Sequence, residues 1–245
     1  MFLYSLLEVS EKATNVVKWI SVGAILVLLG VIALIGLLKR HYNAKRLAFA
    51  GISVAMSFVL AMIKFKPVQY GGSVTLASFV PILIYAYVYG AADGFLVGLI
   101  HGLLNFVESP YILTPATFIL DYLLAFVGVG LMGFFGKMQK KPKAALPLTL
   151  GCICVFSWRF VSHLFSGMIF FLQDAVWVSL PSWAMSNAFV YSLIYQCVYI
   201  PLDAIIATSV LIVLAKTGVL DKLKKLMQPR TATPKSNAQT KESAD

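Results

Sequence analysis

The sequence predicts an all-α integral membrane protein: a six-helix bundle preceded by one extra N-terminal transmembrane helix. Three observations carry this. The 245-residue chain is 60% hydrophobic and only 12% charged, whereas soluble domains average about 45–50% apolar and about 25% charged residues. Its mean hydropathy is +0.85. Its apolar residues gather in long runs, and most Lys and Arg residues fall between or after them.

The runs can be taken in order. A spanning helix needs about 20 mostly apolar residues. Residues 16–38 meet this alone, and 47–65 form a second span. Residues 74–89 and 95–107 are shorter and separated by "GAADG", which reads as a helix pair with a tight turn. Residues 117–135, 146–172 and 188–215 complete a set of seven helices. The first is not read as a signal peptide: its apolar core is too long, and Lys39 and Arg40 follow it instead of a small-residue cleavage site. Three units result: residues 1–46, the extra helix and a basic loop; residues 47–216, the six-helix membrane domain; and residues 217–245, a basic, largely disordered tail.

Lys and Arg in short loops set the orientation. "KRHYNAKR" (39–46) and "KMQKKPK" (137–143) each carry four basic residues, and the tail from Lys216 carries seven. Seven alternating helices put all three segments on one side, the cytoplasmic one. The N-terminus is then outside and the C-terminus cytoplasmic, in the plasma membrane. The formal charge of +10 is an orientation signal that can also touch anionic lipid, and it does not argue for nucleic acid. No P-loop, zinc pattern or H-E-x-x-H motif occurs, and Cys152, Cys154 and Cys197 form no C-x-x-C pair. No metal or cofactor is expected.

Ionisable residues inside spans are functional candidates by default. Asp121, Arg159, His163 and Asp203 are four such residues. Arg159 and Asp203 each lie roughly twelve residues from the inner end of their helices, a match in depth at about 1.5 Å per residue, and are expected to form a structural ion pair. His163 is one turn outward from Arg159. Asp121 and Tyr122 lie near the outer end of their helix, with Tyr111 on the loop before them; Tyr191, Tyr195 and Gln196 enter the outer half of the last helix. A carboxylate, an imidazole, phenols and an amide therefore collect at one depth. An interfacial aromatic belt accounts for Tyr111 but not for Asp121 and His163. His101 is expected to be a packed, hydrogen-bonded core residue, and Asp93 to cap its helix.

"QYGGSVTLASFVPI" (69–82) puts glycines and hydroxyls between two apolar runs. Non-helical backbone is tolerated in a membrane where it lines a cavity. Gly71, Gly72 and Ser73 are expected to form an outer loop or lid over a pocket. Two small-residue faces also occur: Gly94, Gly98 and Gly102, read as packing within the bundle, and Gly51 and Ala55, with Ala44 and Ala48 before them.

"GGSVTLASFVPI" (71–82), "SPYILTPATFILDYLLAF" (109–126), "RFVSHLFSGMIFF" (159–171) and "VYSLIYQ" (190–196) resemble the thiamine-specific substrate-binding (S) components of energy-coupling-factor (ECF) vitamin transporters. The resemblance runs from about residue 47 to residue 215. It implies a six-helix S component, not an enzyme, that takes thiamine from outside and docks on a transmembrane coupling subunit with two ATPase subunits, which hydrolyse the ATP. By motif it carries thiamine binding onto Tyr111, Asp121, Tyr122, His163, Phe171, Tyr191 and Gln196. Some members have Trp at the Phe171 position, and Asn is expected where Gln196 stands. The resemblance also implies partner docking through a small-residue face on the first core helix, here Gly51 and Ala55. The chemistry agrees: a desolvated thiazolium wants a carboxylate and aromatic faces, and an aminopyrimidine wants amide, phenol or imidazole partners. Other readings stay open: an S component for another vitamin or a thiamine precursor, or an ion-coupled secondary transporter. Against the last stands the absence of an inverted repeat and of matched broken helices. An intramembrane enzyme would lack a nucleophile or metal set beside Asp121 and His163.

Overall fold

The structure is a computed structural model and describes residues 44–65, 72–110, 117–138, 145–174, 183, 185 and 187–227, with side chains in the fourth segment described to residue 169. The expected helix at 16–38, Gly71, Tyr111, the side chain of Phe171 and the chain beyond 227 lie outside the described residues. Among the described residues, five helices are long and apolar enough to cross a membrane: α1 (Ala44–Met62), α3 (Ala91–Glu108), α4 (Phe118–Met138), α5 (Leu146–Asp174) and α6 (Ala188–Lys216). A shorter apolar helix, α2 (Phe79–Tyr89), lies between α1 and α3. A final helix, α7 (Val219–Met227), follows α6. The chain is a multi-pass helical membrane protein.

α2 is buried on almost every side, from Phe79 through Tyr87, as expected for a helix that is apolar all round and stands at the bundle centre. Its 11 residues give a length of about 16 Å, half of a hydrocarbon core of about 30 Å. Of the residues leading into α2, 72–78 are described and are not helical. The expected helix start at residue 74 is displaced to Phe79, and Val74–Thr75 instead forms a short antiparallel strand, β2, against β1 (Lys64–Phe65). Ala77 takes a positive φ of 55° just before the helix begins.

Backbone away from water must find its partners within the protein, and this stretch does. The Leu76 N–H donates to the Ile63 carbonyl at 3.0 Å. The Thr75 N–H and hydroxyl donate to Asp203 Oδ1 at 3.2 and 2.9 Å. The Gly72 N–H donates to the Tyr195 hydroxyl at 2.8 Å.

The turn between α2 and α3 is tighter than "GAADG" suggests. Gly90 alone makes it, at φ 100°, a conformation glycine adopts without a Cβ penalty. Asp93 therefore lies within the first turn of α3 instead of capping it, and its buried carboxylate pairs with Arg46 of α1. That contact ties α1 to α3 at the Gly90 end of the bundle.

The glycine ladder of α3 packs on α4. A Cβ on Gly98 would come within 2.3 Å of the Phe126 carbonyl oxygen, and one on Gly102 within 2.2 Å of that of Tyr122. Backbone meets backbone there, the form of packing small residues permit in lipid. The strip on α1 behaves differently. Ala44, Ala48, Gly51 and Ala55 are all exposed, and a Cβ on Gly51 would meet nothing within 4 Å.

His101 is fully buried and packs edge-on against Phe79 and Phe126. Among the described residues neither ring nitrogen has a hydrogen-bond partner, so the expected hydrogen-bonded histidine is packed but not bonded. α7 falls in the segment assigned from sequence to the tail. It turns back at Gly218, buries Leu220 and Met227, and accepts a hydrogen bond from the Tyr89 hydroxyl on the Met227 carbonyl at 2.6 Å.

Candidate ligand-binding site

A cavity of about 130 Å³ opens at the end of the bundle away from Gly90, bounded by α1, α3, α4, α5, α6 and the 72–73 segment. Its chemistry begins on α4. Residues Phe118–Leu124 form a widened, π-type turn, in which the Ala125 N–H donates to the Leu120 carbonyl five residues back. Such turns displace side chains from helical register and often occur at functional sites. This one holds Asp121 and Tyr122. α5 braces it: the Ser162 hydroxyl donates to the Leu120 carbonyl and the Trp158 indole N–H to the Leu124 carbonyl, both at 2.7 Å.

On α5, Arg159, His163 and Ser166 follow at i, i+4 and i+7, one face of the helix. His163 Nδ1 lies 2.8 Å from Asp121 Oδ1, and the Ser166 hydroxyl donates to Asp121 Oδ2 at 2.8 Å. The carboxylate is held by both oxygens and remains 25% exposed toward the cavity. His163 Nε2 has no partner among the described residues. Arg159 also lines the cavity, but its Nη1 pairs with Asp203 Oδ2 at 2.6 Å. Its guanidinium covers the rings of Phe79 and Phe126 at 4.7 and 5.3 Å.

α6 supplies an aromatic wall. Tyr191, Tyr195 and Tyr199 recur every fourth residue, with neighbouring ring centroids 6.0 and 5.9 Å apart. Gln196 is engaged at both ends of its amide: Oε1 accepts from the Tyr199 hydroxyl at 2.6 Å, and Nε2 donates to the His163 carbonyl at 3.3 Å. Tyr122 lines the cavity with its ring while its hydroxyl donates to the Ser109 carbonyl at 2.6 Å.

Asp121, Tyr122, His163, Tyr191, Gln196, Gly72 and Ser73 thus border one cavity. Gly72 is required for space and not for a left-handed backbone. Among the described residues only Gly90 and Gly218 are glycines with positive φ; at Gly72 the requirement is space, because a Cβ would lie 2.6 Å from the Tyr199 ring.

Sequence reasoning missed Ser166, Tyr199, Lys64, Glu108 and Asn105, which also line the cavity. Ser166 is one helical turn from His163, and Tyr199 one turn from Tyr195, so helical spacing carried a signal for both. Nothing local relates Lys64 to Glu108, yet the Lys64 ammonium lies 2.6 and 2.7 Å from the two Glu108 oxygens.

Fold and site together define a multi-pass helical membrane protein with a polar, aromatic-walled cavity between its helices. The chain belongs to the thiamine transporter protein family (Thia_YuaJ), whose profile matches residues 47–222. A curated relative, the thiamine transporter ThiT of Bacillus subtilis (strain 168), is 29% identical over 185 residues, covering 71% of this chain and 91% of the relative. A solved structure of ThiT from Listeria monocytogenes superposes with a TM-score of 0.63 at 22% identity, covering 75% of this chain and 97% of that one. These relatives are named as ThiT, in one case explicitly a transporter, and not as enzymes.

Proposed function

We propose that this protein binds thiamine in the Asp121 cavity and serves as the S component of an ECF transporter. The observation that carries the reading is the state of Asp121. Of the charged residues lining the cavity, Arg159 is paired with Asp203 and Lys64 with Glu108. Asp121 is left as a carboxylate beside an imidazole and a hydroxyl. A cation suits such a place: a desolvated carboxylate gains most from a positive partner, and the nearby tyrosine faces add cation–π attraction. Thiamine carries a permanent thiazolium cation. Its aminopyrimidine offers donors and acceptors that match His163 Nε2, the remaining capacity of Gln196 and the phenols. An affinity in the nanomolar range corresponds to about 12 kcal/mol.

In this reading the cavity faces outward, the N-terminus lies outside and the C-terminus is cytoplasmic, in keeping with the basic segments around residues 39–46 and 137–143 and after Lys216. The exposed strip of Ala44, Ala48, Gly51 and Ala55 meets the coupling subunit, and two ATPase subunits supply the energy.

Titration of the purified protein against thiamine, its phosphates and the free pyrimidine tests the ligand. Reconstitution of this chain alone into proteoliposomes tests the class. The expected result is tight thiamine binding without transport. Gradient-driven uptake by the isolated chain would instead identify an ion-coupled carrier.

A further inference from the structure

The cavity contains a second charged pair whose setting is unlike that of a loose surface bridge. The Lys64 ammonium sits within hydrogen-bond distance of both Glu108 oxygens, at 2.6 and 2.7 Å. The side chains are only 18% and 14% exposed. Both ends are held. Lys64 lies in β1 and pairs in register with Thr75, whose N–H and hydroxyl are bonded to Asp203. Glu108 is the last residue of α3, and the next carbonyl, that of Ser109, accepts the Tyr122 hydroxyl. The pair lies on the α1 and α3 side of the cavity, whereas Asp121 comes from α4 and is bonded to α5 side chains.

We propose that the Lys64–Glu108 pair sets the ligand's charge class, admitting the unphosphorylated cation and disfavouring its phosphate esters. This rests on the reading of the cavity as a thiamine site. The argument is one of charge. Within a small, partly enclosed cavity, charges interact without touching, because the effective dielectric is well below that of water. An unpaired lysine would draw in a phosphate group, since ammonium groups are effective phosphate binders. Glu108 offsets that attraction by holding the ammonium with both of its carboxylate oxygens. A phosphoryl group brought into the same cavity must then compete with Glu108 for Lys64 or with Asp203 for Arg159, or lie near the Glu108 and Asp121 carboxylates without compensation. The hydroxyethyl arm of thiamine carries no charge and meets neither penalty.

Glu108→Gln keeps the size of the side chain and releases the Lys64 charge. Lys64→Met keeps the length of the chain and releases the Glu108 charge. The two are expected to act in opposite directions. Titrations of wild type and both variants with thiamine and with thiamine monophosphate give the preference ratio. Glu108→Gln should shift that ratio toward the ester by about tenfold or more, and Lys64→Met away from it by a similar factor. Combining the two substitutions should bring the ratio back toward wild type. A merely structural pair would lower both affinities together and leave the ratio unchanged; that result, in whichever variant folds, overturns the proposal. Should wild type bind neither compound, the thiamine reading itself is wrong, and the charge-class proposal falls with it.

Discussion

Arg159 of α5 and Asp203 of α6 form an ion pair of 2.6 Å, and the other Asp203 oxygen holds the Thr75 hydroxyl and N–H. One carboxylate therefore joins two long helices to the non-helical segment that precedes α2. Removing one member of a buried pair leaves the other charge uncompensated, at a cost of roughly 3–5 kcal/mol. Arg159→Ala should lower expression and thermal stability of the detergent-solubilised protein by that order. Asp203→Asn should do the same, as it also weakens the anchor on Thr75. If Arg159→Ala unfolds at the wild-type temperature but no longer binds thiamine, the arginine is a ligand residue and not a structural one.

Asp121 is held by Ser166 and His163 yet stays open to the cavity. Asp121→Asn preserves shape and removes charge. Its thiamine affinity should fall by at least about a hundredfold, near 2.7 kcal/mol, while a neutral analogue of the same shape should lose far less. Isothermal titration with both ligands measures the difference. Equal losses would show that the carboxylate acts through its hydrogen bonds and not its charge.

The approach of Gly72 to Tyr199 gives a steric test. A Cβ there would fall 2.6 and 2.8 Å from two ring carbons, so either the ring or the 72–73 segment must shift. Tyr199 in turn donates to Gln196. Gly72→Val is expected to weaken binding by about tenfold or more while leaving the helical bundle intact, because packed sites tolerate added volume at about 1–3 kcal/mol. Circular dichroism and ligand titration on one sample separate these effects. Unchanged affinity would mean that the segment lies clear of the ligand.

The α1 strip has open space in front of it. Gly51→Trp or Ala55→Trp should therefore fold normally and bind thiamine as wild type does. Close helix approach by a partner would be blocked, and ATP-dependent uptake in cells should be lost. Joint loss of binding and uptake would place the strip in the bundle's own packing.

Much of the architecture could be read from local patterns. Hydropathy marks the spans because every lipid-facing turn must be apolar, and this property is written residue by residue. The clustering of Asp121 with His163 at one depth also follows from counting along helices, since each residue advances a fixed 1.5 Å. The Arg159–Asp203 match is of the same kind. Family motifs added the likeness between residues 47 and 215, and the family profile covers 47–222.

Other features depended on contacts between distant segments. The sequence from residue 74 is apolar enough to continue a helix, but the chain forms a strand pair there, because Thr75 and Leu76 find partners on Asp203 and Ile63. Asp93 looks like a cap, yet Arg46, 47 residues earlier, claims its carboxylate. The π-type turn at Asp121 is held by Ser162 and Trp158 of another helix. Lys64 and Glu108, 44 residues apart, share no periodic relation. Hydrophobic period and helical rise are properties of one segment and can be read from it. Which carboxylate meets which cation, and where a helix gives way, is decided by the groups that packing brings within hydrogen-bond distance, and only the tertiary structure holds that.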